Sequence, residues 1–204
     1  MKEEEAMAIS IEEIKRLKDL TGVGLTDAKA ALTEADGDFD KALEAMRKKG
    51  LTKAEKKGER EARQGLVDTY VHSGRIGVVV EVNCETDFVA RTEDFQNFVH
   101  DVAMHVAAAA PEFVSVDQVP ESEREAKKAE FTEKAQAEGK PENMIENIVE
   151  GMLKKHFAEK CLLDQPFIKN PDQTVGDLLK QHIAKLGENM VIRQFARIEL
   201  GIVN

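Results

Sequence analysis

Histidine and cysteine, two residues that often act as metal ligands or in catalysis, are scarce in this sequence and widely spaced. It contains five histidines, of which His100 and His105 are close enough to share a helix. They are five residues apart, whereas two zinc ligands on one helical face are an i, i+4 pair. The spacing therefore predicts no metal site, and no motif predicts a bound cofactor.

Cys84 and Cys161 are the two cysteines, too few for a disulfide scaffold, and we expect both to be buried thiols. Cys84 ends a β-branched run, where burial would raise the pKa of its thiol and reduce its reactivity. A nucleophilic pair of Cys84 with a histidine remains open as an enzyme hypothesis. No pattern supports it, so we predict no catalytic residue and no enzyme activity.

The segment Thr21-Gly22-Val23-Gly24 has the glycines of a phosphate loop but lacks the Gly-Lys-Ser/Thr sequence that such a loop needs. Helical patterns lie on both sides, so it predicts a tight helix–helix turn with Thr26 as the next N-cap. We expect the turn to leave Val23 and Leu25 near the surface. Exposed apolar residues on a turn indicate a binding partner.

Phe88 belongs to the segment with the most functional potential, Asn83 to Arg91, where a strand ends and a helix capped near Thr92 begins. Connections of this kind lie at the surface and often carry function. An aromatic residue beside the acidic Asp87 is either a lid on the chain's own core or an anchor for another protein. The residues alone leave both interpretations open.

Residues 10–50 are predicted to form three short helices. Ser10 and Glu13 have the spacing of a capping box at the first helix, and Gly50 follows the basic end of the third. Residues 51–64 are rich in charge and poor in large apolar side chains, which predicts a helical linker and a domain boundary.

Residues 65–204 are predicted to be an α+β core domain with about three antiparallel strands. A hairpin turns at Ser73-Gly74, and a strand at 191–200 ends the domain. Four helices lie between them. The first begins near Thr92, and the others span residues 121–138, 142–160 and 174–186.

The charge balance limits the possible partners. Lys and Arg number 29 against 39 Asp and Glu, a net charge of −10, which repels nucleic acid. No stretch is apolar enough for a membrane span, and the acidic start, residues 1–5, lacks the apolar centre of a signal peptide. We therefore expect a cytoplasmic protein that binds neither nucleic acid directly nor a membrane.

The segment Glu81 to Arg91 resembles the signature of the elongation factor Ts family. Residues 21–32 with Asp36-Gly37-Asp38 are similar to the N-terminal module of that family. Both lie in the expected order, and the resemblance extends over nearly all of residues 9–200. Further matches are at 70–77, 103–108, 165–168 and 174–176.

The resemblance implies a guanine nucleotide exchange factor that binds the GTPase elongation factor Tu and promotes GDP release during translation. It implies an N-terminal module built like a ubiquitin-associated domain, at residues 1–50. In the family, a Thr-Asp-Phe-Val segment is the wedge that dislodges the partner's magnesium site. This role carries over to Thr86, Asp87, Phe88 and Val89.

Two further contacts with elongation factor Tu are implied. The N-terminal module touches its GTPase domain through Val23, Gly24, Leu25 and Thr26, where Thr26 replaces the bulky residue of many members. Three residues would face its third domain: His72, and more weakly Leu186 and Gly187.

Longer members of the family contain two related core halves, whereas this chain has one. The resemblance therefore implies a homodimer that recreates the missing half. The alternative is a ubiquitin-associated-like module at residues 10–50 that recruits some other helix or peptide, but this leaves residues 84–91 unexplained.

Overall fold

A computed structural model describes residues 9–21 and 23–202 of the chain. Gly22 of the predicted turn and the acidic residues 1–5 lie outside these ranges. Two 3₁₀ turns, Val116–Gln118 and Leu162–Asp164, join the longer elements. In chain order those elements are α1 (Ile11–Thr21), α2 (Leu25–Glu34), α3 (Phe39–Glu55), β1 (Gln64–His72), β2 (Ile76–Cys84), α4 (Asp87–Ala90), α5 (Glu93–Ala109), α6 (Glu121–Ala137), α7 (Glu142–Lys160), β3 (Pro166–Phe167), β4 (Asn170–Thr174), α8 (Val175–Leu186) and β5 (Met190–Glu199).

Helices α1 to α3 form the predicted three-helix module around an apolar cluster of their own. The capping box is present: Glu13 N donates to Ser10 Oγ at 3.0 Å, and Ser10 N donates back to the Glu13 carboxylate at 3.2 Å. The prediction of three helices is confirmed, and the likeness to a ubiquitin-associated domain stays a prediction. The buried cluster consists of Leu17, Ala28, Ala31, Leu32, Ala42 and Met46.

The sequence pattern predicted that the third helix ends at Gly50. In the structure, α3 continues to Glu55. A glycine inside a helix costs only about 1 kcal/mol relative to alanine, and good helix formers follow it here. The predicted linker, residues 51–64, is thus helical only to Glu55, and β1 begins at its last residue, Gln64.

The predicted α+β fold is confirmed, with a three-stranded sheet in the order β1-β2-β5. The β1-β2 hairpin turns where expected: Ser73 and Gly74 have φ angles of 51° and 66°, and Arg75 N donates to His72 O at 2.9 Å. A second, two-stranded sheet, β3-β4, was missed from the sequence. Its strands are short and one begins with a proline, which leaves little periodic signal.

Contacts between residues divide the chain into two compact units. The first comprises residues up to Leu66, Val82–Phe98 and Asp177–Val191. The second comprises Val67–Glu81, Val99–Gly176 and the chain from Ile192 onward. The domains predicted at 1–50, 51–64 and 65–204 follow the composition of the sequence, and their boundaries stay a prediction.

Within the second unit, a fully buried histidine is tied to the segment that carries Phe167. His105 Nε2 donates to Gln165 Oε1 at 3.0 Å, and Ile168 N donates to His105 Nδ1 at 3.3 Å. Phe167 is buried, with its ring centre 6.0 Å from that of His105. Both ring nitrogens therefore have a partner, which fixes a neutral imidazole with its proton on Nε2.

Candidate functional site

The segment Thr86–Val89, here called the wedge segment, forms the start of a one-turn helix directly after β2. Thr86 has an extended backbone and caps α4, since its hydroxyl accepts from Val89 N at 3.4 Å. Thr92 closes the other end: its hydroxyl donates to Val89 O at 2.8 Å and accepts from Phe95 N at 3.3 Å. Thr92 is thus the N-cap of α5, as predicted.

Phe88 is 79% exposed, which makes it one of the most exposed large apolar residues among those the structure describes. It does not cover the chain's own core, so the interpretation as a lid is wrong. Asp87, beside it, forms an exposed ion pair with Arg91 at 2.8 Å. A phenyl ring held in water beside an acid has the chemistry of an anchor for another protein.

Glu188 fixes the start of the wedge segment from the loop before β5. Its carboxylate accepts from Glu85 N at 3.1 Å, from Thr86 N at 2.9 Å and from the Thr86 hydroxyl at 2.6 Å. Charge-assisted hydrogen bonds of this kind are about twice as strong as neutral ones. The wedge segment is therefore held by a partly buried polar network and not by burial of its aromatic ring.

Cys84 lies directly before this network and is fully buried. Its thiol donates to Thr86 O at 3.1 Å. Burial, and secondarily the negative charge of Glu188, raise the pKa of the Cys84 thiol to about 11. The thiol is protonated at neutral pH, so it has the unreactive character that the sequence predicted.

The N-terminal turn, Val23–Thr26, differs in two ways from the sequence prediction. Leu25 is 52% exposed, as expected, but Val23 is half-buried and packs on the cluster of the three-helix module. Thr26 is not the N-cap: α2 begins at Leu25, and Gly24 occupies the cap position without a side-chain bond. The extended backbone of Gly24 lets the helix start two residues earlier than predicted and leaves Thr26 exposed in its first turn.

His72, Leu186 and Gly187 are the remaining predicted contact residues. His72 is exposed at the end of β1, with Nδ1 3.2 Å from the Tyr70 hydroxyl. Leu186 is half-buried at the end of α8. Gly187 ends that helix in the left-handed region, at φ 82°, and its N–H donates to Ile183 O at 3.0 Å. Since Glu188 comes next, the structure joins Gly187 to the wedge segment.

A sequence model of the family described as elongation factor TS matches residues 53–202. A protein of Alkaliphilus metalliredigens named elongation factor Ts is 52% identical over 195 residues, which cover 96% of this chain and 91% of that protein. This chain belongs to the elongation factor Ts family. Elongation factor Ts of Caldanaerobacter subterraneus subsp. tengcongensis is 53% identical over 194 residues, which cover 95% of this chain and 97% of that protein.

Membership of the elongation factor Ts family confirms the resemblance and the prediction of a translation elongation factor. The family match covers the strands, the wedge segment and Glu188, and the relatives extend the similarity into the N-terminal helices. Elongation factor Ts of Geobacter sulfurreducens, for example, is 50% identical over 196 residues, which cover 96% of this chain and 91% of that protein. In residues 9–21 and 23–202, no helix has the length and apolar content of a membrane span.

The residue that sequence analysis missed in this elongation factor Ts family member is Glu188. It lies about a hundred positions from Thr86 along the chain, and a single acidic residue in a loop carries no local pattern. The one available signal was its place directly after Gly187, the glycine that follows the helix predicted at 174–186. A carboxylate in that position is free to cap a neighbouring segment.

Proposed function

We propose that this protein is a guanine nucleotide exchange factor for elongation factor Tu. It binds the GDP-bound GTPase, disturbs its magnesium site and so promotes GDP release during translation elongation. Two observations support the proposal: membership of the elongation factor Ts family, and the exposed Phe88 on a segment held by hydrogen bonds. Exchange makes and breaks no covalent bond, so the protein is not an enzyme in this role.

The physical basis is the way a GTPase holds its nucleotide. Backbone amides surround the phosphates, and a magnesium ion bridges protein and phosphate oxygens. Phe88 would enter an apolar pocket beside the switch region, while Asp87 helps to reposition the neighbouring helix. The GTPase conformation that accepts Phe88 then binds GDP poorly.

Linkage requires this effect to be mutual, so nucleotide that enters the GTPase weakens its grip on the exchange factor by the same ratio. A 10⁴-fold shift needs about 5.5 kcal/mol of differential binding. One buried phenylalanine supplies only about 1.5–3 kcal/mol. The contacts proposed at the N-terminal turn, at His72 and at Leu186-Gly187 are therefore needed to hold the distorted state.

Stopped-flow release of fluorescent GDP from elongation factor Tu, with and without this protein, tests the proposal. We expect faster release that saturates with the concentration of this protein, and no GTP turnover by this protein alone. Release that is no faster with the protein than without it, or intrinsic GTP hydrolysis by the purified chain, would overturn the proposal.

We further propose that the protein works as a homodimer that pairs through the open face of the three-stranded sheet. The side chains of Glu81 on β2 and Gln194 on β5 are hydrogen bonded at 2.8 Å, so they share one face. Side chains alternate along a strand, so Val79 and Ile198 lie on that face too. Exposed apolar residues concentrate on the sheet strands and just after β5: Val67, Val71, Val79, Ile198, Leu200 and Ile202.

Ile198→Glu tests the homodimer, since it replaces one of the exposed apolar side chains of this face by a charged one. We expect light scattering at micromolar concentration to show a dimer for the wild type and a monomer for this variant. Met144→Glu is the matched control, because Met144 is an exposed apolar residue on α7, outside the sheet. A wild-type monomer with full exchange activity would refute the homodimer and leave the exchange function standing.

A further inference from the structure

The short helix that carries Phe88 cannot hold its own position. Helix α4 has four residues, whereas isolated helices shorter than about 12 residues are only marginally stable in water. What fixes the direction of Phe88 must therefore lie at the two ends of α4. Thr92 ties its C-terminal end to α5, as described above. The N-terminal end is tied to Glu188.

At this end, the pair Glu85-Thr86 and the pair Glu188-Asn189 form hydrogen bonds with each other in both directions. Glu188 accepts from the backbone N–H groups of Glu85 and Thr86, and Glu85 Oε1 in turn accepts from Asn189 N at 2.6 Å. Asn189 is buried and donates from its side chain to Arg60 O at 2.6 Å. Each segment thus supplies a carboxylate to the backbone of the other, and the second segment is itself anchored.

The Thr86 hydroxyl is the link between Glu188 and the helix. It has one hydrogen, which it donates to Glu188 Oε1 at 2.6 Å, and this orients a lone pair toward Val89 N, 3.4 Å away. Without the carboxylate, the hydroxyl is free to rotate and the cap loses its fixed direction. Glu188 thus controls the cap of α4 through the Thr86 hydroxyl.

We propose that Glu188 is a positioning residue of the exchange reaction, which holds the wedge segment so that Phe88 is presented outward before the partner arrives. The inference rests on the proposed exchange function and adds a residue to it. Pre-organisation of this kind lowers the entropic cost of binding and of reaching the distorted state. It also makes the partner contacts at Gly187 and at the wedge segment interdependent.

Glu188→Gln is the informative variant because it keeps the volume of the side chain. An amide has one oxygen. If that oxygen accepts from the two backbone N–H groups, the NH₂ group faces the Thr86 hydroxyl, whose hydrogen loses its acceptor, and the remaining hydrogen bonds lose their charge assistance. Glu112→Gln is the control. It also removes a charged hydrogen bond, to Lys160 at 2.8 Å, but in a part of the second unit that the proposal does not involve.

The first measurement is amide hydrogen exchange in the free protein. We expect exchange at Thr86 and Val89 to become at least about fivefold faster in Glu188→Gln, because their hydrogen bonds open more often. Amides within α5 should keep their protection. Glu112→Gln should leave both wedge amides unchanged. Wild-type protection of Thr86 and Val89 in Glu188→Gln would overturn the proposal.

The second measurement is a double-mutant cycle on GDP release. Glu188→Gln should lower the maximal release rate by about fivefold to tenfold. Phe88→Ala should lower this rate by a larger factor in the wild-type background than in the Glu188→Gln background. A residue that only stabilises the fold would give effects that multiply. Effects that multiply, or a normal release rate in Glu188→Gln, would therefore overturn the role of Glu188.

The two proposals fail in different ways. A wild-type chain that does not accelerate GDP release overturns the proposed function before any variant is compared. An active wild type with an equally active Glu188→Gln overturns only the positioning role.

Discussion

The wedge segment and the segment Gln165–Ile168 place a phenylalanine next to polar partners in opposite ways. Both contain a very short element, α4 in the first and β3 in the second, and both belong to motifs that resemble the elongation factor Ts family. Phe88 is 79% exposed, whereas Phe167 is 4% exposed. In the first, the hydrogen bonds of Glu188 hold the backbone and leave the ring in water. In the second, the hydrogen bonds of His105 close the segment over a buried ring.

The difference teaches which phenylalanine to assign to function. An aromatic ring that a polar network leaves exposed contributes no burial free energy to the stability of the free chain. A network that helps to bury a ring supports the fold and needs no further explanation. Motif similarity alone gives both segments the same weight.

Phe167→Ala should cause the largest loss of stability among the variants proposed here. A small loss would contradict the contrast between Phe167 and Phe88. Loss of a buried phenylalanine typically costs about 3–5 kcal/mol of unfolding free energy. We expect a loss of this size in urea denaturation, with normal GDP release per folded molecule. A variant as stable as the wild type would contradict the buried role of Phe167.

Phe88→Ala should show the reverse pattern. We expect GDP release at subsaturating protein to fall roughly 30-fold or more, the size of a binding hot spot, while the unfolding free energy changes by less than about 0.5 kcal/mol. Raising the magnesium concentration should deepen the defect, because the metal opposes the distorted state. If the free protein instead melts well below wild type and its exchange rate is normal, the wedge assignment fails.

Low pH should destabilise the segment that carries Phe167, because this segment is hydrogen bonded to the buried His105. Burial lowers the pKa of His105 below its ordinary value in the folded chain. The folded state therefore binds a proton less readily than the unfolded state, and stability is complete above about pH 6.5 and falls as the pH drops below it. A proton on Nδ1 would face the N–H of Ile168, a conflict that costs on the order of 1 kcal/mol.

The measurement is unfolding free energy between pH 8 and pH 5. His105→Gln should flatten the acid part of the curve, because a glutamine side chain takes up no proton in this range. Equal slopes for wild type and His105→Gln would show that His105 does not set the acid sensitivity.

Leu25→Ala should have the smallest effect, because the N-terminal turn presents an apolar side chain without a polar network around it. Leu25 is 52% exposed, so we expect affinity for elongation factor Tu to fall severalfold, about 1 kcal/mol, with little loss of stability. Leu32→Ala is the control, since Leu32 is fully buried and its loss should cost about 2–5 kcal/mol of stability. Wild-type affinity in a titration would remove Leu25 from the proposed contacts.

Local patterns carried most of what the sequence could predict. The capping box of Ser10 and Glu13, the hairpin turn at Ser73-Gly74 and the cap at Thr92 depend on residues within three positions of one another. The place of Phe88 at a strand–helix connection also followed from local pattern. These features have the same cause in any chain, so they could be predicted.

What the sequence missed depends on competition or on distance. Helix propensity after Gly50 outweighs the cost of one glycine, and Gly24 takes the cap position from Thr26. The exposure of Phe88 could not be inferred because the residues alone fit a lid equally well. Glu188 meets Thr86 only after the chain has folded.

Buried thiols give this protein a practical property for spectroscopy. Both cysteines are buried, and burial raises the pKa of each thiol to about 11. At pH 7 only about one thiol in 10⁴ is then ionised, so maleimide dyes should react slowly with the wild-type chain. A single cysteine introduced at Gln96, exposed one turn into α5 beyond the wedge segment, would take a dye selectively and report on partner binding in real time.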